Sequence, residues 1–438
     1  METRSDNKYR LRVKNLINTH VDSKDIENFM SLDLSASTTG CIFKVPDIPR
    51  SQNQNAYVPI AFSIGPWHYS NPNLRANDKL KTLYLRDLIS KDRNPKATLM
   101  ELSNSEMYIL ELSRKVQECY SSPVDQEYDG CDLLVDGCFI IEFLRKFQDK
   151  SRRDPDDPVF SYMLQFLYHD LMLLENQIPW FVLEDIFHRT CGNNEKPLIW
   201  YVSAFLKQIF PIAFVPTEGN LPSLQPKHIL DLLRLWLVSP IEEEKGKNTV
   251  LQIDDIVTNG GWKPIPPASF LRKAGVKIKR KLMADSILQV TFRNGYLEIP
   301  PLEFRQGTED VFQNLICLEQ CLTKCPHGIT SYVTLLGCLI NTPMDFNLLC
   351  EAGIFDNWMN PEDVINFFNK AIYRGAYVKD YYYLELSEQV IEYCNRKWPR
   401  LRAIYRNEFT TPWAIISQVV AGFLFIFTLL QTLFTIMR

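Results

Sequence analysis

Apolar residues return every three to four positions along most of this chain, the spacing of amphipathic helices. The pattern predicts helices over residues 77–89, with Leu80, Leu83, Tyr84 and Leu88 on one face, and over 97–120 and 133–147. Residues 159–174 are apolar nearly all round, which predicts a helix in the middle of the body. Pro179 stops that run, a new apolar segment begins over 180–187, and further helical patterns cover 225–238, 308–324, 330–340, 361–371 and 380–395. Glu309 and Asp310 place acidic charge in the first turn of 308–324, where it suits the positive end of the helix dipole. A period of two appears over 276–280 and 287–292, and Asn294-Gly295 ahead of 296–299 is a hairpin signal, so a small sheet is expected at about 276–299.

The last stretch differs from all of these. Residues 413–437 contain no charged side chain, and as a helix they would measure roughly 37 Å, enough to cross a hydrocarbon core of about 30 Å. A C-terminal transmembrane anchor is therefore expected over 412–438, with Trp413, Phe423, Phe425, Phe427, Leu430 and Met437 facing lipid. Two other regions lack periodicity. Residues 1–40 are a polar arm with a weak helical pattern, and prolines at 46, 49, 59 and 66 hold 41–66 extended across the body with short strand-like pieces. Residues 190–268 are punctuated by proline around the single helix at 225–238, and 240–268 reads as a long irregular loop. The expected fold is mainly α: a large helical body over 41–406 with one small inserted β-hairpin or sheet, plus the C-terminal transmembrane helix.

Composition narrows the setting. A chain of 438 residues that is 46% apolar can bury a large core, and a net charge of −4 with pI near 6.0 offers no general field for nucleic acid. Eleven cysteines without framework spacing fit reduced thiols better than a disulfide scaffold. The N-terminus has no apolar signal segment, and no Asn-X-Ser/Thr sequon occurs. Arg396, Lys397, Arg400, Arg402 and Arg406 precede the terminal apolar run and only Arg438 follows it. By the positive-inside rule the body is expected in the cytosol, tail-anchored, with the C-terminus across the membrane.

Residues suited to chemistry are few. Cys317, Cys321 and Cys325, with His327 close by, form the most metal-like set, yet their spacing matches no common zinc pattern and Leu315, Leu318 and Leu322 place them beside a core stripe. No nucleophile elbow, zinc-protease helix or phosphate-binding glycine loop occurs, and neither His68 nor His169-Asp170 has a catalytic partner in sequence. Glu175-Asn176-Gln177 ends an apolar helix, where such groups serve to bond backbone of a crossing segment; an active-site carboxylate at Glu175 is the alternative. Arg272, Lys273, Lys277, Lys279, Arg280 and Lys281 form a basic run, readable as a solvated strand edge or as a site for acidic lipid.

Several blocks together resemble one plant family, the "domain of unknown function 247" proteins. They are Phe43 to Pro46, Arg50, Asn55 to Pro59 with Tyr57, and Ser63 to His68 with Gly65 and Pro66, followed by Asp78, Lys81 and Tyr84. Asp136-Gly137 to Glu142 and Leu173 to Pro179 resemble its central signatures, and Ala274 to Lys277, Asn314, Glu319, Ser331 and Pro412 to Ser417 its later ones. Where many relatives carry two adjacent histidines, this chain has His68-Tyr69. The resemblance implies a land-plant, membrane-associated protein with no established enzymatic activity or cofactor; some grass members act as pollen-side self-incompatibility determinants. The resulting expectation is a non-enzymatic recognition or signalling protein at a membrane, plausibly the plasma membrane, that meets lipid through 413–437 and an unidentified protein partner through its body, without nucleic acid and with its oligomeric state open. The alternatives are an enzyme with a cleft around Glu175, Asp136 and His68, or an acidic-lipid-binding protein.

Overall fold

The computed structural model describes residues 40–91, 106–125, 127–190, 195–207, 224–245, 264–305, 307–322, 325–356, 360–373, 381–396 and 412–436. The expected arm before residue 40, the start of the helix expected at 97–120 and most of the expected 240–268 loop lie outside them.

Among these residues the fold is mainly helical with one small sheet. The helices are α1 (Asp47–Gln52), α2 (Asp78–Lys91), α3 (Glu106–Cys119), α4 (Gly130–Gln148), α5 (Leu164–Asp170), α6 (Trp180–Thr190), α7 (Leu198–Leu206) and α8 (Ile229–Lys245). There follow α9 (Ala268–Lys273), strands β1 (Lys277–Arg280), β2 (Thr291–Arg293) and β3 (Tyr296–Ile299), then α10 (Thr308–Cys321), α11 (Gly328–Leu339), α12 (Pro343–Glu351), α13 (Pro361–Tyr373), α14 (Leu384–Asn395) and α15 (Pro412–Ile436).

Two buried helices organise the body. α4 is started by a reciprocal capping box between Asp129 and Asp132, and α2, α3, α6 and α7 pack around it. Gly137 lets α6 approach, since a Cβ there would stand 2.3 Å from Ile186 Cδ1. α11 is buried along nearly its whole length, between α8, α10 and α13. Both halves share one continuous hydrophobic cluster, which includes Phe62, Phe139, Leu167, Leu230, Phe312 and Tyr332.

Several expected elements differ. The 159–174 pattern is a π-helical turn, Val159–Met163, followed by α5, and the helix stops at Asp170. Beyond it, side chains take over the backbone: Gln177 Nε2 donates to the Leu171 and Leu173 carbonyls, both at 2.8 Å, and Leu174 N donates to Asn314 Oδ1 at 2.8 Å. The region read as irregular holds α7, α9 and a longer α8, which continues through Pro240 to Lys245; α12 was not foreseen. Thr342 caps α12, with Pro343 at its first position, a start signal hidden in a short sequence. The strand-like pieces of 41–66 are instead α1, a 3-10 turn at Gln54–Tyr57, and an extended run held by side chains.

The sheet has strand order β1-β3-β2, with β2 and β3 forming the expected hairpin and β1 added parallel to β3. Residues 287–290 are a turn, because Ser286 Oγ donates to the Leu237 carbonyl at 2.6 Å and Leu288 sinks fully into the core. Asn294 and Gly295 both take positive φ, as the hairpin turn requires.

α15 forms as a helix with its described side chains exposed, Phe423 at 60%, Phe425 at 68%, Phe427 at 67% and Leu430 at 47%. Among the described residues no single helix is long and apolar enough to cross a membrane. The described apolar run, Val420–Leu433, covers about 20 Å of helix, short of a hydrocarbon core of about 30 Å. Trp413 lies in the first turn with its side chain undescribed, and Met437 lies outside the described residues.

Phe139 on α4 is fully buried and stacks on Phe62 with ring centroids 5.0 Å apart and on Tyr84 at 5.1 Å. Phe139→Ala should lower unfolding free energy by about 3–5 kcal/mol in a denaturant titration.

Candidate functional site

The densest polar network lies under the segment 41–66, a strap that crosses the helices without joining a sheet. Pro59 and Pro66 have no N–H to give, and the groups between them are buried. Asp170, at the end of α5, accepts from three successive N–H groups, Ile60 at 2.7 Å, Ala61 at 2.8 Å and Phe62 at 2.7 Å. Converging amides of this kind make an anion-binding nest, here filled by the chain's own carboxylate. His169 Nδ1 sits 3.0 Å from the same carboxylate, its Nε2 3.5 Å from Asp310.

The next donors go to neighbouring helices. Ile64 N donates to Asn176 Oδ1 at 2.7 Å, and Asn176 Nδ2 returns bonds to the Phe62 and Asp170 carbonyls. Gly65 N donates to Asp136 Oδ2 at 2.8 Å. Asp136, on α4, also accepts from Lys81 Nζ at 2.7 Å and Tyr128 Oη at 3.0 Å, while Lys81 donates in addition to the Ser63 carbonyl. Burial pushes the Asp136 carboxyl upward against the pull of Lys81. Gly65 has φ +77°, and a Cβ there would lie 2.6 Å from the Gln177 carbonyl oxygen, so no other residue fits.

The earlier half of the strap is held in the same manner. Glu175 Oε1 accepts from Val45 N at 2.8 Å, behind Pro46, and from Arg50; Glu175 Oε2 lies 3.6 Å from His68 Nε2. Burial pushes the His68 imidazole downward, toward its neutral form. Asn314 on α10 donates to the Ala56 carbonyl at 2.8 Å, and Tyr57 lies 3.6 Å from Cys317 Sγ. Gln177 accepts from Leu230 N at the start of α8, and Tyr120 donates to the Gln177 carbonyl at 2.8 Å, just ahead of Pro179. A second network ties α2 to α4: buried Lys146 meets Asp87 at 2.7 Å and Asp157 at 3.1 Å, beneath the Tyr84 ring.

These positions are those of the sequence blocks, and they cover most of the chain. A family model described as plant protein of unknown function matches residues 42–427. The chain belongs to the DUF247 family. It is similar to two Arabidopsis thaliana proteins: UPF0481 protein At3g47200, 28% identical over 94% of this chain and 90% of that one, and UPF0481 protein At3g02645, 23% identical over 80% and 79%. No solved structure matches the chain.

In this DUF247 protein, Glu175 lies beside His68, whereas Asp136 is bonded to the Gly65 amide, Lys81 and Tyr128. A pocket beside Pro66, lined by Val116, Tyr120, Val124, Tyr128 and Leu133, encloses about 20 Å³, room for a water molecule. The thiols expected as metal candidates do not converge. Cys317 is buried beside Tyr57 with its thiol pushed up to about 12, Cys321 is half-buried, and Cys325 Sγ lies 3.0 Å from Arg234. His327 precedes α11, and among the described residues no group of three or more ligands could hold a metal. The basic run lies on α9 and on edge strand β1, where Lys279 Nζ sits 4.2 Å from the Tyr296 ring centre and Lys277 donates to Tyr296 Oη at 3.1 Å; Lys273 is exposed nearby. Sequence reasoning passed over Asp170 and Asn314 as anchors, although each is a polar side chain within an apolar run.

Glu319, fully buried on α10, caps α11 by accepting from Ile329 N at 3.0 Å, Thr330 N at 2.8 Å and Thr330 Oγ1 at 2.6 Å. Burial outweighs these donors and pushes its carboxyl up to about 7.

Two outcomes follow from the networks. Asp136→Asn leaves the buried Lys81 ammonium only the partly exposed Asp78 carboxylate, 3.4 Å away, and should cost about 3 kcal/mol; adding Lys81→Met should recover about 1 kcal/mol of that, measured by a double-mutant denaturation cycle. Glu319 binds its proton more tightly folded than unfolded, so its contribution is full below pH ~4.5 and is lost as pH rises through ~7, by about 3 kcal/mol. Unfolding measured across that window should show Glu319→Gln with a slope shallower by about one proton.

Proposed function

We propose that this DUF247 protein is a non-enzymatic recognition or signalling protein held at a membrane by α15, with its body on the cytosolic side and facing a protein partner. The observation that carries the reading is the exposed apolar surface of α15, where Phe423, Phe425 and Phe427 are 60%, 68% and 67% exposed. The sequence carries no charge from Trp413 to Met437, and basic residues cluster before that run. Both oxygens of Asp136 and of Asp170 accept from donors of the chain itself, and Glu175 Oε1 accepts from Val45 N and Arg50.

A second contact with lipid is supported at the sheet. Leu282 and Met283 are 83% and 90% exposed directly after the basic edge Lys277–Arg280 and Lys281. An apolar tip ringed by basic side chains suits an anionic bilayer surface, where each Lys or Arg is worth about 1 kcal/mol. α14, which precedes the anchor, packs on the same sheet through Tyr393 and Phe292, ring centroids 5.7 Å apart.

Alkaline extraction of membranes from cells expressing the tagged full chain tests the reading. The protein should stay in the pellet, and Phe423→Lys with Phe425→Lys and Phe427→Lys should move it to the supernatant; extraction of the unaltered chain would refute anchoring. Protease added to intact cells should spare an N-terminal tag, and loss of that tag would place the body outside. In membranes sedimented at neutral pH and low salt, the triple-lysine chain should keep a residual membrane fraction, and exchange of Leu282 and Met283 for serine should remove it if the tip is a second contact.

A further inference from the structure

Where the strap begins, its backbone pairs with the end of α3. Cys41 N donates to the Cys119 carbonyl at 2.7 Å and Ile42 N to the same carbonyl at 2.9 Å, while Ser121 N donates to the Ile42 carbonyl at 2.9 Å. The result is an isolated parallel bridge between Ile42 and Tyr120. Cys41 and Cys119 each stand one residue before the bridged pair, and the direct bond from the Cys41 N–H to the Cys119 carbonyl brings the two residues together at the end of α3. Residues in direct backbone contact of this kind fall within reach of the Cα separation of about 4.4–6.8 Å that a disulfide spans.

We infer that Cys41 and Cys119 form a dithiol built to close into a disulfide, which fastens the start of the strap covalently to the end of α3. Both thiols are buried, and each lies close enough to act on the other's proton, while Cys119 Sγ also meets the Lys115 carbonyl at 3.4 Å. The pair is asymmetric. Cys41 is 7% exposed and Cys119 1%, so an oxidant reaches Cys41 first; Cys119, aided by the Lys227 charge, also holds the Cys41 thiol below its ordinary value. Cys41 is the attacking sulfur and Cys119 the resolving one.

With a peroxide as oxidant the step balances. The Cys41 thiolate attacks one peroxide oxygen, the O–O bond breaks, and the departing hydroxide leaves as water after taking the proton lost by the thiol, giving Cys41 sulfenic acid. Cys119 sulfur then attacks that sulfenic sulfur; the S–O bond breaks, the S–S bond forms and a second water leaves. Two thiols lose two electrons and two protons in all, and one peroxide becomes two waters. A low-molecular-weight disulfide serves equally by exchange, being reduced to two thiols. The inference does not depend on the membrane reading. It gives that reading a chemical marker, since the pair would stand open in a reducing compartment and closed in an oxidising one.

The experiment uses the full chain, purified reduced in detergent, exposed to limiting hydrogen peroxide, blocked with an alkylating agent and digested without reductant. The expected product is one crosslink joining the peptides that hold Cys41 and Cys119, with two of the eleven thiols lost and a melting temperature higher by about 5 °C. Cys119→Ser should leave a Cys41 sulfenic acid that dimedone traps, and Cys41→Ser should give neither the crosslink nor a trapped Cys119. Crosslinks scattered over other cysteines, or thiols at 41 and 119 that resist peroxide while the protein stays folded, would overturn the inference. If either variant fails to fold, the peptide map of the unaltered chain decides alone.

Discussion

An extended segment buried outside a sheet must find a partner for every N–H group it carries, and this requirement shapes the protein. Ile60, Ala61 and Phe62 meet it with Asp170, Ile64 with Asn176 and Gly65 with Asp136. The donors are neutral amides and two of these three acceptors are carboxylates, so the arrangement works best where a cation or further donors balance the charge. Lys81 does this for Asp136 and Arg50 for Glu175. The helices that supply these groups are thereby fixed relative to one another: α2, α4 and α5 meet at the strap, and Asn314 brings α10 to it from the other half of the body.

Acidic residues in the middle of a core usually invite a catalytic reading. Here Asp170, Asp136 and Glu175 accept from backbone amides of the strap. The most exposed apolar side chains lie elsewhere, on α15 and at Leu282 and Met283 after the basic edge.

Much of the helical plan was legible because helices α2, α4, α6, α10 and α13 bury a clean stripe. What periodicity could not show was substitution of side chains for backbone. Residues 171–176 carry the apolar pattern of a helix, and nothing local announces that Gln177 will donate and Asn314 accept in its place. α12 escaped because nine residues rarely declare a period, and α8 ran on because Pro240 enters a helix whose neighbours tolerate the missing bond. For the site, the Glu175-Asn176-Gln177 triplet could be read from its position, whereas the strap residues it binds lie far upstream, with Val45 separated from Glu175 by 130 positions.

That separation governs how the molecule is made. The Ala56 carbonyl meets Asn314 across 258 positions of chain. At a synthesis rate of about 5–20 residues per second, the strap waits roughly 10–50 s after leaving the ribosome before its last anchor exists. Closure of such distant contacts is slow in itself. The N–H groups of Ile60 to Phe62 and of Ile64 wait a shorter time, for Asp170 and Asn176 at separations of 108 to 112 positions, and until these emerge they remain open to water and to any foreign carboxylate or strand edge.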